Sequence, residues 1–215
     1  MTSIASNLQA IRARLGAVTL LAVSKGQGIE AVRQAAAAGQ KAFGENYVQE
    51  AVEKMAAAPG LEWHLIGPLQ SNKTRIAAER FDWVQTVASE KIARRLSEQR
   101  PAGMAPLNVL IQVNASGEAS KSGVAPGAAA ALASTVAVMK GIRLRGLMAI
   151  PEPGAPRERF HEVSVLFRKL QRDFGFDTLS MGMSADMDLA IAEGSTMVRI
   201  GTAIFGARPK VRSAA

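Results

Sequence analysis

Leu107-Asn108-Val109-Leu110-Ile111-Gln112-Val113, then the alanine-rich residues 128–139, then Ile142-Arg143-Leu144-Arg145-Gly146-Leu147 form the stretch that decides the fold. The first and last segments are short and rich in branched residues, as strands are. The middle one is long enough for a helix, so the three read as a β-α-β unit with parallel strands. Working outward, the same alternation repeats. Toward the C-terminus, residues 160–174 supply an amphipathic helix. Asp177-Thr178-Leu179-Ser180 is a strand, residues 185–193 a helix, and Met197-Val198-Arg199-Ile200 a last strand. Toward the N-terminus, Trp83-Val84-Gln85-Thr86-Val87 is backed by a charged helix over 90–99. Trp63-His64-Leu65-Ile66-Gly67 and Lys41-Ala42-Phe43-Gly44 are earlier strands, with a helix from Tyr47 to about Ala58 between them. Leu20-Leu21-Ala22-Val23 is the first strand, followed by a helix over 29–38 that stops at Gly39. About eight such units close into an α/β, (β/α)8 TIM-type barrel. An open doubly wound sheet is the alternative, but no GxGxxG follows the first strand to favour it.

The bulk properties narrow the function. With 215 residues, 48% of them hydrophobic, one domain over 1–215 is expected. There is no cysteine, which removes disulfides and thiolate metal sites. No basic-then-apolar leader opens the chain and no run of about 18 apolar residues occurs, so a cytoplasmic protein off the membrane is expected. The net charge of +8 raises nucleic acid as a partner. Yet the basic residues are scattered, with only pairs such as Arg94-Arg95, and aromatics are 5%. Stacking platforms and a basic stripe are therefore missing, and a small anionic ligand suits the charge better.

Three features carry chemistry. Lys25 follows the first strand, and the C-terminal ends of barrel strands line the active mouth. A lysine partly withdrawn from water there can present a neutral amine to a carbonyl and form a Schiff base. A lysine reaching to solvent is the plainer reading. At the other end, Arg199-Ile200 runs directly into Gly201-Thr202 at the start of a short helix, and Met181-Gly182-Met183-Ser184 makes a second strand-to-helix turn. Backbone N–H groups at such turns suit a phosphate, and barrels often hold one after strands seven and eight. In the bland alternative Ser184 is only an N-cap, and Asp186 close by counts against an anion. Arg199 should point into the barrel by strand alternation. Its partner there is either a ligand's pyridine nitrogen or carboxylate, or an internal acid such as Glu45. His64 is expected to be a packed, hydrogen-bonded core residue and His161 a surface one, which makes a metal site improbable.

The broken segment Pro151-Glu152-Pro153-Gly154-Ala155-Pro156 is expected at the rim of the mouth.

Leu21-Ala22-Val23-Ser24-Lys25, Phe43-Gly44-Glu45-Asn46-Tyr47-Val48-Gln49-Glu50 and residues 63–73 (WHLIGPLQSNK) resemble the pyridoxal 5′-phosphate (PLP) homeostasis family, the YggS/PROSC group. The resemblance continues through Ser120-Lys121-Ser122-Gly123, Arg145-Gly146-Leu147-Met148, Gly182-Met183-Ser184 and residues 194–206. That family is related to the N-terminal barrel of alanine racemase. The resemblance implies PLP as cofactor and Lys25 as the lysine that holds it covalently. It also implies Ser184, Gly201 and Thr202 on the phosphate, Arg199 facing the pyridine nitrogen, and Asn46 near the cofactor. One departure is Gly26-Gln27-Gly28, which replaces a stretch that commonly carries a second lysine. The segment between the first helix and the Lys25 strand is also shorter than usual.

Racemases of this lineage use a tyrosine from a second domain of the partner subunit as their second acid/base. This chain stops about ten residues after Gly206, and its one tyrosine, Tyr47, belongs to a barrel helix. An arginine against the ring nitrogen also keeps the ring unprotonated, which makes it a poorer electron sink. The implied function is thus a monomeric carrier that buffers PLP and passes it to apo PLP-dependent enzymes. A small racemase-like enzyme and a cofactor-free aldolase-like barrel are the rivals.

Overall fold

The computed structural model describes residues 3–117 and 122–207. Eight parallel strands close into a barrel in chain order: β1 (Thr19–Val23), β2 (Ala42–Glu45), β3 (Glu62–Leu65), β4 (Trp83–Val87), β5 (Leu107–Val113), β6 (Ile142–Ala149), β7 (Thr178–Ser180) and β8 (Met197–Ile200). β8 returns to pair with β1, with Leu21 opposite Arg199. Helix α1 (Ile4–Leu15) precedes β1. The successive crossovers carry α2 (Ile29–Ala37), α3 (Val48–Ala57), α4 (Thr74–Arg80), α5 (Glu90–Gln99), α6 (Ala129–Ala137), α7 (Arg157–Phe174) and α8 (Met187–Ala192), and α9 (Thr202–Phe205) follows β8. The expected (β/α)8 barrel is therefore present.

Strand alternation sorts the side chains into two environments. Leu20, Ala22, Phe43, Leu65, Val84, Ile111, Leu147, Val198 and Ile200 face outward and pack against the helices in one continuous core. Leu21, Ala42 and Met197 form a small cluster of their own, and Trp83, Leu110 and Met148 another. These belong to the opposite register and fill the barrel interior. That interior also takes His64, Gln85, Ser180 and Arg199, all buried.

The differences from the sequence reading are local. β6 runs two residues further than expected and carries a register shift against β5 between Val109 and Leu110. Gly146 sits there at φ 152°, and a Cβ on it would lie 1.9 Å from the Thr178 carbonyl oxygen. No other residue allows that approach. α7 starts at Arg157 rather than Phe160, with Pro156 extended at its N-cap and Glu158 in the first turn. α8 is shorter than 185–193, because residues 183–186 close a separate turn. α1 supplies bounds for the helix expected before the first strand, and α4 is a helix the sequence pattern does not reveal.

Candidate binding site at the barrel mouth

The C-terminal ends of β1, β2, β3, β7 and β8 surround a cavity of about 320 Å3, within the ~300–1,000 Å3 of small-molecule pockets. Lys25, Asn46, Ser184, Arg199, Gly201 and Thr202, all picked from the sequence, line this one cavity. Val23, Ile66, Ile150 and Met183 add apolar wall. Ile150 leads into the segment 151–156, which puts that segment at the mouth as expected. Lys121 and Ser120, part of one motif noted above, lie outside the described residues.

Arg199 is buried, and among the described residues it pairs with no acid. One terminal nitrogen (Nη1) donates to the Ser180 carbonyl and hydroxyl, both at 2.8 Å, and the other (Nη2) to the Ala149 carbonyl at 2.9 Å. Burial pulls its pKa down to about 10, while Asp186 acts weakly in the other direction. The guanidinium therefore stays charged at neutral pH. The alternative pairing with Glu45 does not occur. Phe43 and Glu45 share the outward register of β2, whereas Arg199 faces inward, so the sheet separates them.

Ser184 does not cap α8, whose N-cap is Asp186. The Asp186 carboxylate instead accepts the Met183 N–H, and Asp186 N–H donates back to the Met183 carbonyl at 3.2 Å. That turn leaves Ser184 exposed on the cavity wall. At the β8–α9 junction the Gly201 carbonyl accepts from Ile204 and Phe205. The first amides of a helix have no acceptor inside it, and those of α9 begin at the cavity.

The sequence reading missed what holds Lys25 in place. The Lys54 ammonium of α3, almost wholly buried, donates to the Ser24 carbonyl and Glu45 Oε1 at 2.7 Å each and to Glu50 Oε1 at 2.8 Å. The Ser24 hydroxyl donates to Glu45 Oε1 at 2.6 Å, and Gly26 N–H to Glu50 Oε1 at 2.6 Å. Residues 24 and 26, flanking Lys25, are thus tied to one buried ionic cluster. Burial raises the Glu45 pKa, opposed by the hydrogen bonds from Lys54 and Ser24. A signal was available: Lys54 falls three residues after Ala51 and six after Val48, on the buried stripe of α3.

His64 is fully buried and hydrogen-bonded as expected, and stacks on Trp83 with 5.1 Å between ring centroids. His161 is on the surface and pairs with Glu193. Among the described residues no cluster of three His, Cys, Asp or Glu could hold a metal ion, and no helix is long and apolar enough to cross a membrane.

The alanine racemase N-terminal domain family matches residues 1–209. Pyridoxal phosphate homeostasis proteins match over nearly the whole chain. The one from Pseudomonas aeruginosa is 56% identical, covering 97% of both chains. The one from Escherichia coli K12 is 52% identical, over 97% of this chain and 98% of its own. This chain belongs to the pyridoxal phosphate homeostasis protein family. Among solved structures, PipY of Synechococcus elongatus with PLP bound superposes on this family member with a TM-score of 0.86 at 38% identity, over 95% of this chain and all of its own. Without PLP, the PipY TM-score is 0.89 at 39% identity over the same shares. Alanine racemase from Corynebacterium glutamicum, at 21% identity and a TM-score of 0.77, shares the barrel of this family member.

Proposed function

We propose that this chain holds pyridoxal 5′-phosphate reversibly at the barrel mouth and buffers the cofactor for apo-enzymes that need it. The observation that carries this reading is the convergence of a lysine amine, a buried guanidinium that pairs with no acid among the described residues, hydroxyl and backbone donors and an apolar wall on one cavity. Those groups fit an anionic aromatic aldehyde, and relatives named for PLP homeostasis and a PLP-bound homologue support the assignment.

When bound, the cofactor supplies an aldehyde that an amine can capture and release. Lys25 is the capturing amine, held at a fixed height by the bonds to Ser24 and Gly26. The Ser184 hydroxyl and the Gly201 and Thr202 amides receive the phosphate. Arg199 presents a charged N–H donor to the ring nitrogen, and its pKa of about 10 keeps that proton in place at neutral pH. Asn46 contributes an amide at the cavity edge.

We further propose that the protein is a monomeric, cytoplasmic carrier, one domain over the full chain, without turnover of its own. Proton transfer on both faces of a substrate needs two acid/base groups. Among the described residues, Lys25 and Arg199 are the ionisable ones lining the cavity, and Tyr47 is 66% exposed outside it.

The test is the visible spectrum of protein mixed with PLP, wild type against Lys25→Ala, followed by incubation with L- and D-alanine and with an apo PLP enzyme. Loss of the bound-cofactor band in Lys25→Ala, no racemisation, and reactivation of the apo-enzyme are expected. An intact band would move the tether to another lysine such as Lys73. Efficient racemisation would replace the carrier by an enzyme.

A further inference from the structure

A line of hydrogen bonds crosses the barrel interior from Arg199 to the opposite mouth. Arg199 Nη1 donates to Ser180 Oγ at 2.8 Å, and Ser180 Oγ donates to Gln85 Oε1 at 2.7 Å. Gln85 Nε2 meets His64 Nδ1 at 2.9 Å, and His64 Nε2 meets Glu62 Oε1 at 2.7 Å. The members come from β8, β7, β4 and β3, so no local motif produces the line.

The polarity of the line is fixed. An amide NH2 only donates, so His64 Nδ1 accepts, and its proton sits on Nε2, directed at the carboxylate. Burial lowers the His64 pKa, which agrees with a neutral ring. The second Gln85 hydrogen goes to Met197 Sδ at 3.2 Å, so the whole amide is committed. If the amide were turned over, His64 Nδ1 would have to donate, and its Nε2 lone pair would face a carboxylate. Every donor therefore points one way, from the guanidinium toward Glu62.

We propose that Gln85, His64 and Glu62 act as positioning residues for Arg199, with Glu62 as the acceptor that ends the line and Gln85 as the link that sets Ser180. A serine hydroxyl can donate or accept. Because Gln85 takes the Ser180 proton, the Ser180 oxygen is left to accept from Arg199, and the guanidinium is locked with its remaining N–H groups toward the cavity. Chains of such bonds polarise one another in a low-dielectric interior. The stack of His64 on Trp83, with Arg145 lying 4.8 Å over the indole, keeps the imidazole in line.

The proposal rests on the PLP reading for its consequence and not for its geometry, and the test separates the two. Gln85→Leu removes the link, and Glu62→Gln removes the charge at a half-exposed position where folding is not at stake. In the apoprotein, isotope-labelled NMR reads rotation of the Arg199 guanidinium and the His64 tautomer. Both variants should speed the rotation, and Glu62→Gln should shift the His64 signals. PLP affinity, read by spectroscopic titration, should fall about tenfold in Gln85→Leu, the equivalent of one charge-assisted hydrogen bond, and less in Glu62→Gln. The bound-cofactor band should persist in both, with a displaced maximum.

Unchanged Arg199 rotation in Glu62→Gln overturns the relay whatever the ligand. Altered rotation with unchanged PLP affinity and spectrum overturns its positioning role. A wild-type protein that took up no PLP would sink the function proposed above, and the apoprotein signals would still decide the relay.

Discussion

Replacing Lys54 by methionine tests the ionic cluster behind Lys25, and the structure sets the size of the effect. The substitution keeps the length of the side chain and removes the ammonium, which donates three hydrogen bonds in a nearly solvent-free position. Glu45, fully buried, would then keep only the Ser24 hydroxyl, and its Oε2 already has no partner. Breaking a buried pair this way destabilises by about 3–5 kcal/mol. The carboxyl can escape part of the penalty by taking a proton. At pH 7, against the ordinary glutamate pKa of 4.5, protonation costs about 3.4 kcal/mol at about 1.36 kcal/mol per pH unit. Adding about 1 kcal/mol for the Ser24 carbonyl left without a donor caps the loss at about 4 kcal/mol, because the raised pKa of wild-type Glu45 already carries part of the cost.

The pH dependence follows from the direction of the pKa. In wild type the folded-state pKa of Glu45 is already raised, so its contribution to stability is complete below 4.5 and falls as pH rises through the folded value. Without Lys54 the folded pKa goes higher, and the fall continues over a wider window. The deficit of Lys54→Met should therefore reach at most about 4 kcal/mol at pH 7 and shrink to about 1 near pH 4.5. Urea melts followed by circular dichroism at pH 5 and pH 7.5 measure it. A deficit of equal size at both pH values would refute the buried-carboxylate account and leave a packing defect as the cause.

Other substitutions probe the mouth directly. At Gly67 a Cβ would lie 2.1 Å from the Asn46 carbonyl oxygen, so Gly67→Ala must displace Asn46. A loss of about 1–3 kcal/mol in urea melts is expected, with weakened PLP retention. Ser184→Ala removes a hydroxyl that caps no helix. Apoprotein melting should stay unchanged while PLP affinity falls several-fold, by about 1 kcal/mol. A fall in melting temperature without a change in affinity would return Ser184 to a structural role.

The barrel was legible because its outward-facing residues are branched or aromatic and its crossovers are short. β5, with Val109 and Ile111 packed outward and Leu110 inward, reads as a buried strand in any window. α4 escaped notice because its buried face is Thr74, Ala77 and Ala78, too small to make an apolar stripe. Asn46 came only from the family resemblance, whereas Lys25, Ser184, Gly201 and Thr202 were legible through their position after strands and Arg199 through strand alternation. The interior line from Glu62 to Arg199 was not, since nothing in one strand's sequence names the polar residue it meets across the barrel. The separation of Arg199 from Glu45 follows from strand parity only once the pairing of the strands has fixed which face each one presents.

The ties on either side of Lys25 have a dynamic consequence. Gly26 is exposed, and an exposed loop amide ordinarily trades its hydrogen with solvent freely. Here that amide is bonded to a Glu50 oxygen that Lys54 also holds. Its hydrogen-exchange rate therefore follows the opening of the Lys54 cluster, so one surface amide reports how often the buried charges separate. The backbone on either side of Lys25 is thus fixed for as long as that cluster stays closed.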